Sequence, residues 1–129
     1  MVGVLLITHG RTGEDLLAAA WHVLGGEQGH ARSIAVAPGD DAGATLEIAR
    51  ADLAALDDGD GVIVFTDIFG ATPCNIAQRL GSLGFRTHCV SGLNLPMLLR
   101  VLNYPEQDLD QLAQTAANGG RCGICIDQA

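Results

Sequence analysis

The sequence contains no lysine, and all seven basic residues among its 129 are arginines. A phosphate-binding loop of the Walker A type needs a lysine, and so do enzymes that work through a Schiff base or pyridoxal phosphate, so these classes are excluded. Positive charge is scarce overall, because 15 acidic residues leave a net charge of −8. Proteins that bind nucleic acid neutralise its phosphates with clustered cations, so we expect no nucleic-acid partner.

Long apolar runs are also missing from the sequence. No segment reaches the roughly 18 consecutive apolar residues of a membrane span, so we expect no direct membrane insertion. The N-terminus lacks the basic region and cleavage site of a signal peptide, and its apolar run stops at His9. We therefore expect a cytoplasmic protein. Residues 1–129 are long enough for a single domain, and a hydrophobic content of 48% supplies its core.

Cysteine is sparse, and two of the four cysteines form the stretch "CGIC" at Cys122 and Cys125. Residues 121–126 have the pattern of a strand, on which residues three apart point to opposite faces, whereas redox CxxC pairs open a helix. We interpret the pair as structural, reduced thiols. A thiol redox or zinc protein stays an alternative, which bound zinc or a disulfide between the two would favour.

The order of apolar runs and helical patterns predicts the fold. Apolar runs predict strands at 2–8, 33–37, 62–66 and 86–90, and helical spacing predicts helices at 14–24, 44–56, 72–83, 97–102 and 106–117. This alternation is typical of an α/β protein with a mostly parallel sheet, helices on both faces and strand order 2-1-3-4. A last strand at 121–126, after a Gly-Gly turn, is expected antiparallel at an edge or paired with a neighbouring subunit.

Two polar residues stand at the ends of apolar strands: His9 after "VGVLLIT" and Asp67 after "GVIVFT". In the order 2-1-3-4 the first and third strands are neighbours at the ligand-binding edge, so the two side chains would face each other. An imidazole held by a carboxylate on one nitrogen can act as a nucleophile through the other. The helix opening at Thr72, with a capping hydroxyl before Pro73, would point free amides at an anion there.

Plainer interpretations compete with this site. Each residue alone is more simply a polar loop or turn former, and only the joint position of His9 and Asp67 favours function. The loop "SGLNLPML" follows the fourth strand at the same edge, and an ordinary turn explains it almost as well. His22, His30 and His88 have no partner at a recognisable spacing, so no metal site is predicted.

Three motifs, "THG", "DIFGATPCN" and "SGLNLPML", together resemble the mannose-type enzyme IIA of the bacterial sugar phosphotransferase system. The resemblance covers almost the whole chain, with the motifs in the family's order. It implies that His9 accepts phosphate from the carrier protein HPr, that Asp67 orients it, and that Thr72, Gly70 and Ala71 bind the phosphoryl group. Further residues would line the site or dock partners: Gly10, Arg11, Phe69, Asn94 and Pro96.

The resemblance also implies partners. The phosphoryl group would pass to an enzyme IIB, expected to be a separate protein because the chain ends soon after the CGIC segment. Neither metal nor cofactor is expected. Members of the family commonly form dimers that exchange a C-terminal strand, which would suit residues 121–126. Arg11, where some relatives carry a bulky apolar residue, would alter the docking surface, or attract phosphate or an acidic partner.

Other functions stay open at this point. A stand-alone IIA could signal phosphorylation state to a regulatory target instead of serving transport. The related module that feeds a dihydroxyacetone kinase would share the N-terminal histidine but not the "DIFGATPCN" and "SGLNLPML" pair. A flavodoxin-like module that binds a small ligand without chemistry is a further alternative, although "THGRTGE" is not a Gly-rich phosphate loop.

Overall fold

The computed structural model describes residues 1–27 and 30–127. Four strands and five helices alternate along the chain: β1 Gly3–His9, α1 Thr12–Leu24, β2 Ala31–Val36, α2 Ala42–Leu56, β3 Val62–Thr66, α3 Thr72–Ser82, β4 Thr87–Ser91, α4 Leu95–Leu102 and α5 Leu109–Cys122. The sheet has the order β2-β1-β3-β4, and every pair is parallel. The predicted α/β class and strand order are therefore confirmed.

The two central strands, β1 and β3, are buried on both faces, as their continuous apolar sequences require. One face of the sheet packs under α1, α4 and α5 around Leu6 and Phe65. The other face packs under α2 and α3 around Leu5 and Val64. Because all four strands run the same way, the ends of β1 and β3 meet at one edge with helix N-termini around them. Within the described ranges, no helix is long and apolar enough to cross a membrane.

The prediction that residues 121–126 add a strand to the edge of this chain's own sheet is wrong. Their exchange with a neighbouring subunit stays a prediction. Helix α5 continues to Cys122, and from Gly123 to Asp127 the chain pairs with no strand. Gly119 and Gly120 are buried helix residues and not a turn. A Cβ at Gly119 would lie 2.7 Å from Arg100 Cβ, and one at Gly120 would lie 2.8 Å from Met97 Cε. The two glycines therefore let α5 approach α4 closely, and that packing prevails over the turn propensity of Gly-Gly.

Two helices begin at residues other than the predicted ones, because a side chain caps each N-terminus. Helix α5 begins at Leu109 and not at 106, because Asp108 and Gln111 form a reciprocal capping box. Helix α4 begins at Leu95, because the Asn94 side chain accepts a hydrogen bond from Met97 N–H at 2.9 Å. Part of the predicted "SGLNLP" turn is thus the first turn of a helix.

Candidate functional site

His9 and Asp67 meet at the carboxyl edge of the sheet. His9 is the last residue of β1, and Asp67 directly follows the neighbouring strand β3. The ring Nδ1 of His9 lies 2.9 Å from Asp67 Oδ2, and the backbone N–H of His9 donates to the same oxygen at 3.0 Å. Two bonds to one carboxylate oxygen fix both the ring and the strand end from which it projects.

The charge of Asp67 sets the tautomer of His9. Partial burial of Asp67 opposes its ionisation, but hydrogen bonds from the His9 ring and backbone, with the ring's charge, outweigh burial and lower the pKa of Asp67. Its second oxygen accepts from Ile68 N–H at 3.1 Å. An ionised carboxylate can only accept, so Nδ1 must carry a proton. In the neutral ring, Nε2 therefore keeps its lone pair, on a side chain that is 52% exposed.

The turn after His9 is held from inside the fold. The fully buried Thr8 accepts a hydrogen bond from Gly13 N–H through Oγ1 at 2.8 Å, which ties the start of α1 to β1. Gly10 adopts a φ of +51°, a left-handed value that favours glycine. Its N–H donates to Val36 O at 2.9 Å, so the end of β2 also anchors the turn. His9 is thus presented on a fixed backbone.

Helix α3 opens beside the dyad with an uncapped N-terminus. Its N-cap is Ala71, Thr72 is its first residue, Pro73 follows, and no side chain caps it. The predicted capping role of the Thr72 hydroxyl is therefore wrong, and the reason is register, because Thr72 lies one residue inside the helix. Gly70, with a φ of +84°, turns the chain from Asp67 into the helix. The free amides and the Thr72 hydroxyl suit an anion such as a phosphoryl group.

His9 and Thr72 line one cleft of about 280 Å³. Its opposite wall is formed by residues 36–40, the last residue of β2 and the turn that follows, where Asp40 Oδ2 accepts from Ala37 N–H at 2.8 Å. Sequence reasoning did not assign this segment to the site. The strand order 2-1-3-4 could have done so, because β2 ends next to β1 at the same edge.

The proposed docking residues fall into two groups. Phe69 is 75% exposed and Ile68 56% exposed, directly after Asp67, so they form an apolar rim beside the dyad. Arg11 is also at the surface next to Gly10, where it pairs with Glu14 at 3.5 Å and Asp15 at 3.8 Å. These two carboxylates largely compensate its positive charge.

Asn94 and Pro96 line no part of the cleft beside His9. Both amide atoms of Asn94 are engaged, since Oδ1 caps α4 and Nδ2 donates to Gly120 O at 3.3 Å. Asn94 borders a separate cavity of about 210 Å³ with Gly92 and Arg121. Pro96 packs where a Cβ on Gly123 would lie 2.3 Å away. Their contacts hold α4 and α5 together.

The remaining cysteines and histidines do not build a second centre in the described residues. All four cysteines are free, Cys122 and Cys125 are exposed and so are not core thiols, and no cluster of three or more metal-ligating side chains occurs within 1–27 and 30–127. His88 does have a partner that sequence reasoning missed, since its Nε2 lies 2.6 Å from Asp110 Oδ1. The two residues are 22 apart in sequence, so no local spacing could reveal the pair.

Comparison with known proteins identifies the family of this chain. The family model EIIA-man, described as "PTS system fructose IIA component", matches residues 3–116. The chain belongs to the EIIA-man family. It is 34% identical over 125 residues to the PTS system mannose-specific EIIAB component of Escherichia coli strain K12, a match that covers 95% of this chain and 38% of that protein.

Solved EIIA structures share the fold over more than nine tenths of the chain. The mannose/sorbose-specific IIA subunit from Enterococcus faecalis superposes with a TM-score of 0.88 at 26% identity, covering 99% of this chain and 96% of the other. The PTS IIA protein associated with the fucose utilization operon of Streptococcus pneumoniae gives a TM-score of 0.75 at 25% identity, covering 92% and 93%. The chain is therefore a IIA component of the sugar phosphotransferase system.

Proposed function

We propose that the protein is a phosphoryl carrier in which His9 accepts a phosphoryl group from phospho-HPr and passes it to a IIB domain. The observation that carries the proposal is the pairing of His9 Nδ1 with Asp67, which leaves Nε2 free beside the uncapped start of α3. Membership of the EIIA-man family supports the same assignment. We place this activity in the cytoplasm, where HPr works.

The transfer needs no proton to enter or leave. As the phosphorus–nitrogen bond of the donor histidine breaks, that nitrogen regains its lone pair, and the Nε2 lone pair of His9 forms the new bond to phosphorus. Positive charge that grows on the His9 ring is stabilised by Asp67 through Nδ1–H. The phosphoryl oxygens lie against the first amides of α3 and the Thr72 hydroxyl, so positioning and anion stabilisation supply the catalysis.

Donor and acceptor dock on the rim of Ile68 and Phe69 in this proposal. Exposed apolar side chains next to a reacting group are typical of a small interface that must form and dissolve. Because the relay meets two partners in turn, one modest apolar rim serves both better than a large permanent interface. Arg11, already compensated by Glu14 and Asp15, contributes less than its position next to Gly10 would indicate.

A homodimer is the second part of the proposal. The outer edge of β4 carries no partner strand within 1–27 and 30–127, while Ile124 and Ile126 are 76% and 82% exposed. An open strand edge together with an exposed apolar segment favours pairing with another copy. The C-terminal segment of one subunit, from residue 123 onward, would then pair with β4 of the other subunit. The C-terminal strand predicted from the sequence would thus form between subunits.

The test is phosphorylation of the purified protein by phosphoenolpyruvate, enzyme I and HPr, followed by intact mass. One acid-labile phosphoryl group is expected on the wild type and none on His9→Ala. The matched control is His88→Ala, because His88 is also hydrogen-bonded to an aspartate but lies away from α3. Phosphorylation that persists in His9→Ala contradicts the proposal. Absence of phosphorylation in the wild type, with an active donor, would also contradict the proposal and would favour a protein that binds a small ligand in the cleft without chemistry.

A further inference from the structure

Three polar side chains interrupt the apolar layer between the sheet and α3. Thr66, the last residue of β3, is fully buried, and Cys74 in the first turn of α3 is 1% exposed. Ser91, the last residue of β4, lies opposite Thr66 in the strand register and is half-buried. The thiol of Cys89 on β4 adjoins all three side chains. Apolar side chains surround the cluster, for example Val64, two residues before Thr66 on β3. A polar cluster at this depth needs an explanation.

The three side chains form a chain of hydrogen bonds. Thr66 Oγ1 lies 2.7 Å from Ser91 Oγ, and Ser91 Oγ lies 3.7 Å from Cys74 Sγ. Thr66 also accepts Leu93 N–H at 3.1 Å through its carbonyl, so the loop after β4 is tied to the same residue. Valine has the shape of threonine and would fill the site without a polar group to satisfy. Core packing alone therefore does not account for the threonine.

The cluster connects β3, β4 and α3 at the edge of the sheet where the site lies. Thr66 immediately precedes Asp67, Cys74 lies two residues after Thr72, and Ser91 ends the strand next to β3. The nearby thiol of Cys89 is neutral, because burial of its sulfur and the neighbouring Cys74 raise its pKa to about 11. Hydrogen bonds of this kind specify geometry more than they add stability.

We infer that Thr66 and Ser91 are positioning residues that fix the first turn of α3 relative to the His9–Asp67 pair through Cys74. The inference rests on the proposed phosphoryl transfer, in which the amides of that turn meet the phosphoryl oxygens. A turn displaced by a fraction of an ångström would still fold but would hold the oxygens poorly. The cost therefore falls on the transfer step and not on docking, which uses the separate rim at Phe69.

The experiment compares Thr66→Val with Thr66→Ser. Valine removes the hydroxyl and keeps the shape, whereas serine keeps the hydroxyl and loses a methyl group. We expect Thr66→Val to lower the transfer rate at saturating phospho-HPr about tenfold, by analogy with small misplacements in other sites. The concentration of phospho-HPr that gives half the maximal rate should stay within about twofold of wild type, since docking is untouched. Thr66→Ser should recover most of the rate even though its buried cavity lowers the melting temperature.

Ser91→Ala provides the second variant should Thr66→Val fold poorly, because Ser91 is only half-buried. Unchanged rates at saturation in Ser91→Ala and in folded Thr66→Val would overturn the inference. So would a Thr66→Ser protein as slow as Thr66→Val, because the lost hydroxyl would then not be the cause.

A second readout separates this inference from the proposed function. The backbone amide resonances of Ala71 and Thr72 in the unphosphorylated protein should move in Ser91→Ala, while the amide of Gly39 on the opposite wall of the cleft stays in place. Unmoved Ala71 and Thr72 amides overturn the positioning role whatever the transfer rates are. If the wild type accepts no phosphate but these amides move, the positioning role stands and the proposed function fails.

Discussion

Asp67 Oδ2 accepts two hydrogen bonds from His9, one from the ring Nδ1 at 2.9 Å and one from the backbone N–H at 3.0 Å. The backbone bond fixes the distance between the ends of β1 and β3, and the ring bond then has little freedom. The lowered pKa of Asp67 keeps the carboxylate charged at neutral pH, so it accepts and never donates. Asp67 thereby fixes the position, the orientation and the tautomer of the His9 ring.

Asp67→Asn removes the charge with little change of shape. The amide can turn its NH₂ group toward Nδ1, which favours the tautomer with hydrogen on Nε2 and blocks attack. We expect the rate of His9 phosphorylation to fall by on the order of 100-fold or more, as in other dyads that lose the carboxylate. Single-turnover mixing with phospho-HPr measures this rate. Asp110→Asn, which disturbs the other histidine–aspartate pair, is the matched control and should leave the rate unchanged.

The contribution of Asp67 to stability should depend on pH. Its pKa is lower in the folded protein than in the unfolded chain, so the unfolded state binds more protons as the solution becomes acidic. The stabilisation is fully present above the unfolded pKa of about 3.9 and is lost as the pH falls through the folded value. Denaturant midpoints of wild type and Asp67→Asn should therefore differ near pH 7, and the difference should shrink as the pH falls below about 4, toward the folded pKa of Asp67. A difference that is constant between these pH values would contradict the charged state assigned to Asp67.

Alanine substitutions at Gly13 and Gly43 should change the free energy of unfolding in opposite directions. A Cβ at Gly13 would lie 2.6 Å from Ser33 Oγ and 3.0 Å from Thr8 Oγ1, in the contact that anchors the turn after His9. Gly13→Ala should lower the free energy of unfolding by about 1–3 kcal/mol through overpacking. A Cβ at Gly43 meets nothing closer than 3.5 Å, so Gly43→Ala in α2 should raise it by about 0.5–1 kcal/mol. Urea unfolding of both variants measures the two free energies. Equal changes in the two variants would refute the packing described around Thr8.

Phe69→Ser should weaken docking without affecting the transfer step. The side chain is 75% exposed, so its loss leaves the core intact and the melting temperature within error of wild type. We expect the concentration of phospho-HPr needed for half-maximal rate to rise about tenfold, the effect of losing one good apolar anchor. The rate at saturation should be unchanged. Val23→Ser, at a position 59% exposed on α1, is the control for a general loss of surface apolarity.

A reduced saturating rate in Phe69→Ser would place the ring in the transfer step and not in docking. An unchanged half-maximal concentration would remove the rim from the interface altogether.

Much of the fold followed from the sequence because a parallel sheet leaves a strong pattern. Central strands buried on both faces must be continuous apolar runs, and such runs at 2–8 and 62–66 gave β1 and β3 nearly to the residue. The meeting of His9 with Asp67 then followed from the strand order. No feature of either residue alone would have predicted it.

The features that could not be predicted from the sequence depend on contacts between residues far apart along the chain. Gly119 and Gly120 suggested a turn, yet they continue α5 because they pack against Arg100 and Met97. His88 on β4 pairs with Asp110 on α5, so the spacing of the two residues in the sequence could not predict the contact. The opposite wall of the cleft at 36–40 contains one carboxylate, Asp40, but its side chain closes the local turn by accepting from Ala37 N–H, so its residue type alone did not mark the site.

The central claim is that Nε2 of His9 accepts the phosphoryl group while Asp67 holds Nδ1. Nuclear magnetic resonance of the histidine-¹⁵N-labelled phosphoprotein tests this most directly, because coupling to phosphorus identifies the phosphorylated ring nitrogen. We predict coupling to Nε2 of His9, with Nδ1 still protonated and hydrogen-bonded. Phosphorus on Nδ1 of His9, or on any other residue, would contradict the account, since the nitrogen that Asp67 occupies would then be the one that reacts.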